Sequence, residues 1–204
     1  MAESYTNITE GSGKKQHSFQ RTIGANAVED NVVIAGEPYL ASYVATVAGV
    51  ANVSVANVND HLMQLMAGAS LNLYVRRVHI AQQVLAGSAT LGAWSLCRLT
   101  TAGTGGSALT PRPLDPGDAA SGATARYAVT ASKGTEGVFL FGESMMLPST
   151  AVAPAGRSDV SFDLLRTKAI RIPAGTSNGI AIKNGAAIAS ASVVITIWFD
   201  EANF

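Results

Sequence analysis

The chain has 204 residues, with 14 Lys+Arg balanced by 14 Asp+Glu. Only 14% of its residues are charged, against roughly 25% in an average soluble domain, and a neutral chain is a poor candidate for sequence-independent nucleic-acid binding, which needs a basic face. The 48% hydrophobic content excludes global disorder, and a chain of this length buries about 70% of its unfolded surface in one core.

Charges keep soluble monomers apart, so their scarcity points to surfaces that sit against neighbours. The single cysteine, Cys97, allows no intrachain disulfide and no cysteine zinc cluster. It lies in a strand-like stretch and reads as a buried, inert thiol. The N-terminus carries Glu3, Glu10, Lys14 and Lys15 and does not read as a signal peptide.

Residues 1–30 read as an extended N-terminal arm, because 4–20 are polar and show no periodic apolar face. The β-sandwich domain is expected over 31–204. Val32, Val33 and Ile34 form a short apolar run closed by Gly36 and Pro38, a strand signal. Residues 38–59 contain no charge, but Asn52, Asn57 and Asn59 interrupt them and a membrane span needs about 20 mostly apolar residues. They read as strands over 39–47 and 51–58 of a soluble protein, not as a membrane helix.

Residues 61–66 read as at most a short helical turn. A long strand is expected over 70–83. There Leu71, Leu73 and Val75 share one parity, whereas Val78 and Ile80 beyond Arg76 and Arg77 take the other. A β-bulge produces such a switch. Residues 90–101 form the next strand, and 104–107 and 115–118 read as loops. Further strands are expected over 123–130, 137–141, 170–172, 179–183 and 191–200, with a second helical turn over 159–168. Val193, Ile195, Ile197 and Phe199 give the clearest alternation. Asn184-Gly185 is the strongest tight-hairpin signal. Many short strands without helix periodicity predict an all-β fold in a single domain, a sandwich or a barrel.

The chemistry-bearing residues are sparse. His17, His61 and His79 match no zinc spacing, and His79 between Val78 and Ile80 reads as structural; no metal or cofactor is expected. Gly142-Glu143-Ser144-Met145-Met146 lacks the second glycine of a nucleophile elbow. Gly11-Ser12-Gly13-Lys14-Lys15 has Lys where a phosphate loop needs Ser or Thr, and reads as a tether. Asp115, Asp118, Glu136, Glu143, Asp159, Asp163, Asp200 and Glu201 are scattered and read mostly as loop or strand-end solvation. No catalytic site emerges, and the chain reads as no enzyme. Met63, Met66, Met145 and Met146 read as core filler. Arg76 and Arg77 are adjacent on a strand and should point to opposite faces. A core-side arginine needs a carboxylate, with Asp163 or Glu143 as candidates; an inter-subunit salt bridge is the alternative.

One resemblance covers nearly the whole chain. Residues 62–71, Leu-Met-Gln-Leu-Met-Ala-Gly-Ala-Ser-Leu, lead into Val75-Arg76-Arg77-Val78. Residues 99–111 then run Leu-Thr-Thr-Ala-Gly-Thr-Gly-Gly-Ser-Ala-Leu-Thr-Pro, followed by Pro113-Leu114-Asp115 and later by Ile172-Pro173-Ala174-Gly175-Thr176-Ser177-Asn178-Gly179. Together with Glu10–Lys15 and Val28-Glu29-Asp30, this string resembles a group of all-β virion proteins of tailed bacteriophages and prophages. The resemblance implies a sandwich of jelly-roll type and a place in the virion, assembled in the bacterial host cytoplasm.

The leading expectation is a capsid decoration or cement protein. It would form a homotrimer and clamp neighbouring copies of the major capsid protein, with no nucleic-acid or membrane partner. A polar arm ahead of a compact β-domain suits strand addition between subunits. Expected contacts are Lys14, Lys15, Phe19 and Arg21 in the arm, and Arg112, Arg126 and Arg157 in loop-like surroundings. The alternative is a tail-associated or head-fibre receptor-binding module that works through loops such as 102–118. A depolymerase or hydrolase is a third reading.

Overall fold

The computed structural model describes residues 3–6, 16–23, 26–31, 40–149, 156–162 and 168–202. The chain divides into two compact units, Met1–Leu40 and Ala41–Phe204. In the first, β1 (Glu3–Thr6), β2 (Gln16–Ile23) and β3 (Asn26–Asn31) form an antiparallel sheet in the order β1-β2-β3. Tyr5 pairs with His17, and Arg21 with Val28. The segment expected as an extended arm therefore contains strands that pair with one another. Residues 32–34, expected as a strand, lie outside the described residues.

The second unit continues with β4 (Ala41–Thr46), β5 (Val53–Ser54), β6 (His61–Met66), β7 (Asn72–Val84) and β8 (Thr90–Leu99). After these come β9 (Ser107–Leu109), β10 (Arg112–Pro113), β11 (Thr124–Val129) and β12 (Glu136–Leu147). The last four strands are β13 (Arg157–Ser161), β14 (Ile170–Ile172), β15 (Gly179–Asn184) and β16 (Ser192–Ala202). One sheet has the order β10-β4-β16-β7-β13, with β14 added to β7 and β5 to β16. The other has the order β12-β8-β15-β6-β11-β9. We call them the β16 sheet and the β6 sheet after their central strands. Both are antiparallel throughout, and they pack face to face as a β-sandwich. No helix occurs among the described residues.

The core between the sheets follows the period-two pattern of its strands. Val193, Ile195, Ile197 and Phe199 of β16 are all buried, as their alternation predicts. They face Leu65, Leu96, Ile180 and Ile182 of the β6 sheet within one contiguous cluster. Tyr43 of β4 stacks on Phe199 with ring centroids 5.6 Å apart. Each such side chain contributes about 1.5–3 kcal/mol through burial.

The parity switch in β7 is a β-bulge. Trp198 of β16 pairs with Arg77 and Phe199 pairs with Val75, so Arg76 is the extra residue. The bulge lets Leu73, Val75, Val78 and Ile80 all point into the core. It also turns both arginines outward, so neither sits on the core side as strict alternation would require.

Three local expectations are corrected. Residues 61–66 are strand β6, not a helical turn. β6 is central and covered on both faces, so all six of its residues are buried, His61 and Gln64 included, and it shows no apolar–polar alternation. The start of 159–168 is strand β13, paired with β7; residues 163–167 lie outside the described residues. Asn184-Gly185 does not close a tight hairpin, because β15 and β16 belong to different sheets. Asn184 is buried and donates its amide to the carbonyls of Val55 and Asn57, at 2.9 and 2.7 Å.

Candidate functional site

A dense polar cluster lies on the face of the β6 sheet turned away from the main core. Lys183 pairs with His61 and Ile182 with Met63, so Leu62 is an extra residue in the β6–β15 ladder. This irregularity puts His61 on the same face as Gln64. Ala181 pairs with both Gln64 and Cys97, which brings Cys97 of β8 onto that face as well. Met66, Cys97, Leu99 and Ala181 form a small second apolar cluster there.

Two loop segments, 100–103 and 130–135, cover the cluster. They are tied to each other by Thr100 N–H to Thr135 O (3.0 Å) and by Thr135 N–H to Thr101 Oγ1 (2.7 Å). Gly134 takes a left-handed φ of 80°, and a Cβ there would come within 2.2 Å of the Thr101 carbonyl oxygen. Only glycine permits this approach.

The hydrogen bonds under this cover define one protonation state. Gly103 N–H donates to Gln64 Oε1 (3.0 Å), and Gln64 Nε2 donates to the Lys133 carbonyl (2.7 Å). A backbone N–H only donates and a carbonyl only accepts, so the amide orientation is set. Gln64 Nε2 also lies 2.7 Å from His61 Nδ1. That nitrogen must therefore accept, and His61 carries its proton on Nε2 and donates it to Glu136 Oε1 (2.9 Å). His61 is thus a neutral imidazole. Lys183 Nζ donates to the other Glu136 oxygen (2.8 Å). Lys133 Nζ pairs with Asp60 (3.1 Å) and donates to the Asn59 carbonyl (3.0 Å).

The electrostatics agree with the geometry. Burial lowers the His61 pKa and outweighs the pull of Glu136, while the charges of Lys133 and Lys183 lower it further. Burial alone would raise the Glu136 carboxyl, but hydrogen bonds from Lys183 and His61, and their charges, hold it below the usual range. Burial pushes the Cys97 thiol up to about 11.

Ligand atoms of His61, Cys97 and Glu136 lie within 4.8 Å of one another, a grouping that invites a metal. The surroundings do not fit one. A histidine bound through Nε2 must donate from Nδ1, but Gln64 presents an N–H there. Burial keeps Cys97 protonated, and Lys183 already occupies the carboxylate. Nor is this a nucleophile with its base: both nitrogens of His61 are engaged, leaving none to take the Cys97 proton.

The two adjacent arginines pair within the chain. Arg76 Nε donates to Asp200 Oδ2 (2.5 Å), and Ser42 Oγ donates to Asp200 Oδ1 (2.8 Å). Arg77 binds Asp159 through two nitrogens, with Nε to Oδ1 at 2.7 Å. Of the two expected carboxylates, Glu143 accepts from Ser158 Oγ, and Asp163 lies outside the described residues. Asp200 and Glu201, expected as strand-end solvation, are buried. The Glu201 carboxylate accepts from Ser121 Oγ (2.5 Å), Gly122 N–H (3.2 Å) and Ala123 N–H (3.1 Å), which anchors the loop before β11.

Lys14 and Lys15 lie outside the described residues, and Phe19 and Arg21 sit in β2, opposite Asp30 and Val28. Arg112 is in β10 and Arg157 in β13, at opposite edges of the β16 sheet; both are exposed. Arg126 belongs to the other sheet and donates to the carbonyls of Thr104 (3.2 Å) and Gly105 (3.1 Å), holding a loop of its own chain.

Sequence reasoning missed an apolar strip. Edge strand β12 exposes Val138 (72%), Phe139 (56%) and Leu140 (37%). Further along the same ladder, the paired residues Met146 and Leu91 are also exposed. Met146 is therefore not core filler, unlike Met63, Met66 and Met145. The signal available was the unbroken apolar run 138–141, which gives a strand apolar on both faces. Comparison with protein-family models, with curated proteins and with solved structures returns no match.

Proposed function

We propose that this chain is a non-enzymatic virion component of a tailed bacteriophage, a capsid decoration protein of jelly-roll type. It packs as a homotrimer on the outer head surface and clamps neighbouring major capsid subunits. The reading rests on the resemblance of the chain to virion proteins. The observation that best supports a packing role is the strip of Val138, Phe139 and Leu140 on the β12 edge. Exposed edges carrying apolar side chains are a liability for a free monomer and an asset in an assembly. The sparse charge, 14% of residues, lowers the desolvation cost of such packing. The buried polar groups described above stabilise the fold and leave docking to the surface.

The test is attachment. Purified protein is mixed with undecorated heads of the parent phage, and co-sedimentation is measured beside the mass of the free protein. Saturable binding by a trimer supports the reading; a protein that ignores heads contradicts it.

A further inference from the structure

The His61 cluster ties a surface cover to the sheet through a histidine that accommodates only one protonation state. We propose that it is an acid-operated latch: when His61 takes a proton on Nδ1, segments 100–103 and 130–135 lift from the β6 sheet and open a path to Cys97 while the sandwich core stays folded.

The argument is steric and polar. A proton on Nδ1 would point at the N–H of Gln64. If Gln64 rotates its amide to offer Oε1 instead, its Nε2 meets the Gly103 N–H and its Oε1 meets the Lys133 carbonyl. Each is a clash of like groups, so the rotated amide loses both ties to the cover, and the unrotated amide keeps them only with its N–H opposed to the new proton on His61 Nδ1. The bonds between the segments do not depend on His61, so the cover moves as one flap. Arg126 holds Thr104 and Gly105 and marks the hinge end.

The charged and titratable groups around His61 come from every packed element. Asp60 stands just before β6 and is bound by Lys133 of the cover. Lys183 comes from β15, Cys97 from β8, Glu136 from β12, and Arg126 from β11, opposite Gln64. Glu136 attracts the added proton; Lys133 and Lys183 repel it. Both ring nitrogens are buried with it, so the proton is taken up when the flap opens and water enters.

Cys97 is the only cysteine, so its labelling reports opening at one site. The probe is a dipyridyl disulfide, which reacts with thiols in mild acid, with free cysteine as the reference for intrinsic rate. Relative to that reference, labelling should rise about tenfold per pH unit below pH ~6.5, the slope of one proton. Amide exchange on the unmodified chain should show loss of protection at Gly103 and Thr100 with Ile195 of β16 still protected. His61→Gln cannot titrate and should label at a rate independent of pH. Flat labelling of the unmodified protein, a rise that persists in His61→Gln, or loss of protection at Ile195 in step with the label would each overturn the latch. If His61→Gln does not fold, the exchange pattern of the unmodified chain decides.

Discussion

Arg77 of β7 pairs with Trp198 of β16 and lays its guanidinium 5.0 Å from the centre of the indole ring. The pairing skips Arg76, which is turned to Asp200 instead. The bulge thus does two things: it corrects the parity of the core residues on either side, and it supplies a partner for a buried carboxylate. Removing Arg76 should regularise the strand, with Val75 still opposite Phe199 and Arg77 still opposite Trp198. Deletion of Arg76 is therefore expected to leave the fold intact, at a cost of about 1–3 kcal/mol for the carboxylate that loses a donor. Deletion of Tyr74 flips Leu73 or Val75 outward and should abolish cooperative unfolding. Thermal denaturation of both variants checks this.

Stability should fall on acidification from near neutrality. His61 has a folded pKa below its ordinary value, so the unfolded chain binds the proton first. Its contribution is complete above pH ~6.5 and declines as pH falls from there towards the folded value. Glu136 is held below the usual carboxylate range, so its contribution is present above pH ~4.5 and disappears as pH falls through its folded value. Both act in the same direction. The urea midpoint should drop as pH falls below about 6.5, and His61→Gln should flatten that part of the curve.

Glu201 should be intolerant of an isosteric change. Its two carboxylate oxygens take donors from Ser121, Gly122 and Ala123. Glu201→Gln puts an N–H against one of them and is expected to cost about 1–3 kcal/mol. Equilibrium denaturation measures the loss.

The apolar strip should matter for assembly and not for folding. Val138 and Leu140 are exposed on an edge strand, so Val138→Lys and Leu140→Lys should change stability by no more than about 0.5 kcal/mol. On the decoration reading, either should weaken attachment to heads at least about tenfold, or 1.4 kcal/mol. Parallel melting and co-sedimentation separate the two effects.

The strands with one face in the core were readable because alternation is a local pattern. β16 shows it residue by residue, and the parity break around Arg76 located the bulge. β6 was not readable: a central strand covered on both faces, with an extra residue at Leu62, loses its period. His61 and Gln64 were hidden with it. The partners of Arg76 and Arg77 lie 124 and 82 positions away along the chain, so spacing carried no information about them. Asn184-Gly185 has hairpin chemistry, yet Asn184 spends its amide bridging to Val55 and Asn57 where the chain passes between sheets.

The most direct test of the decoration role is the number and place of copies on intact particles. Virions of the parent phage, labelled with antibody to this chain and quantified by mass spectrometry against the major capsid protein, should carry it over the whole head in fixed stoichiometry with capsid subunits. A few copies confined to the tail, or none in the particle, would contradict it.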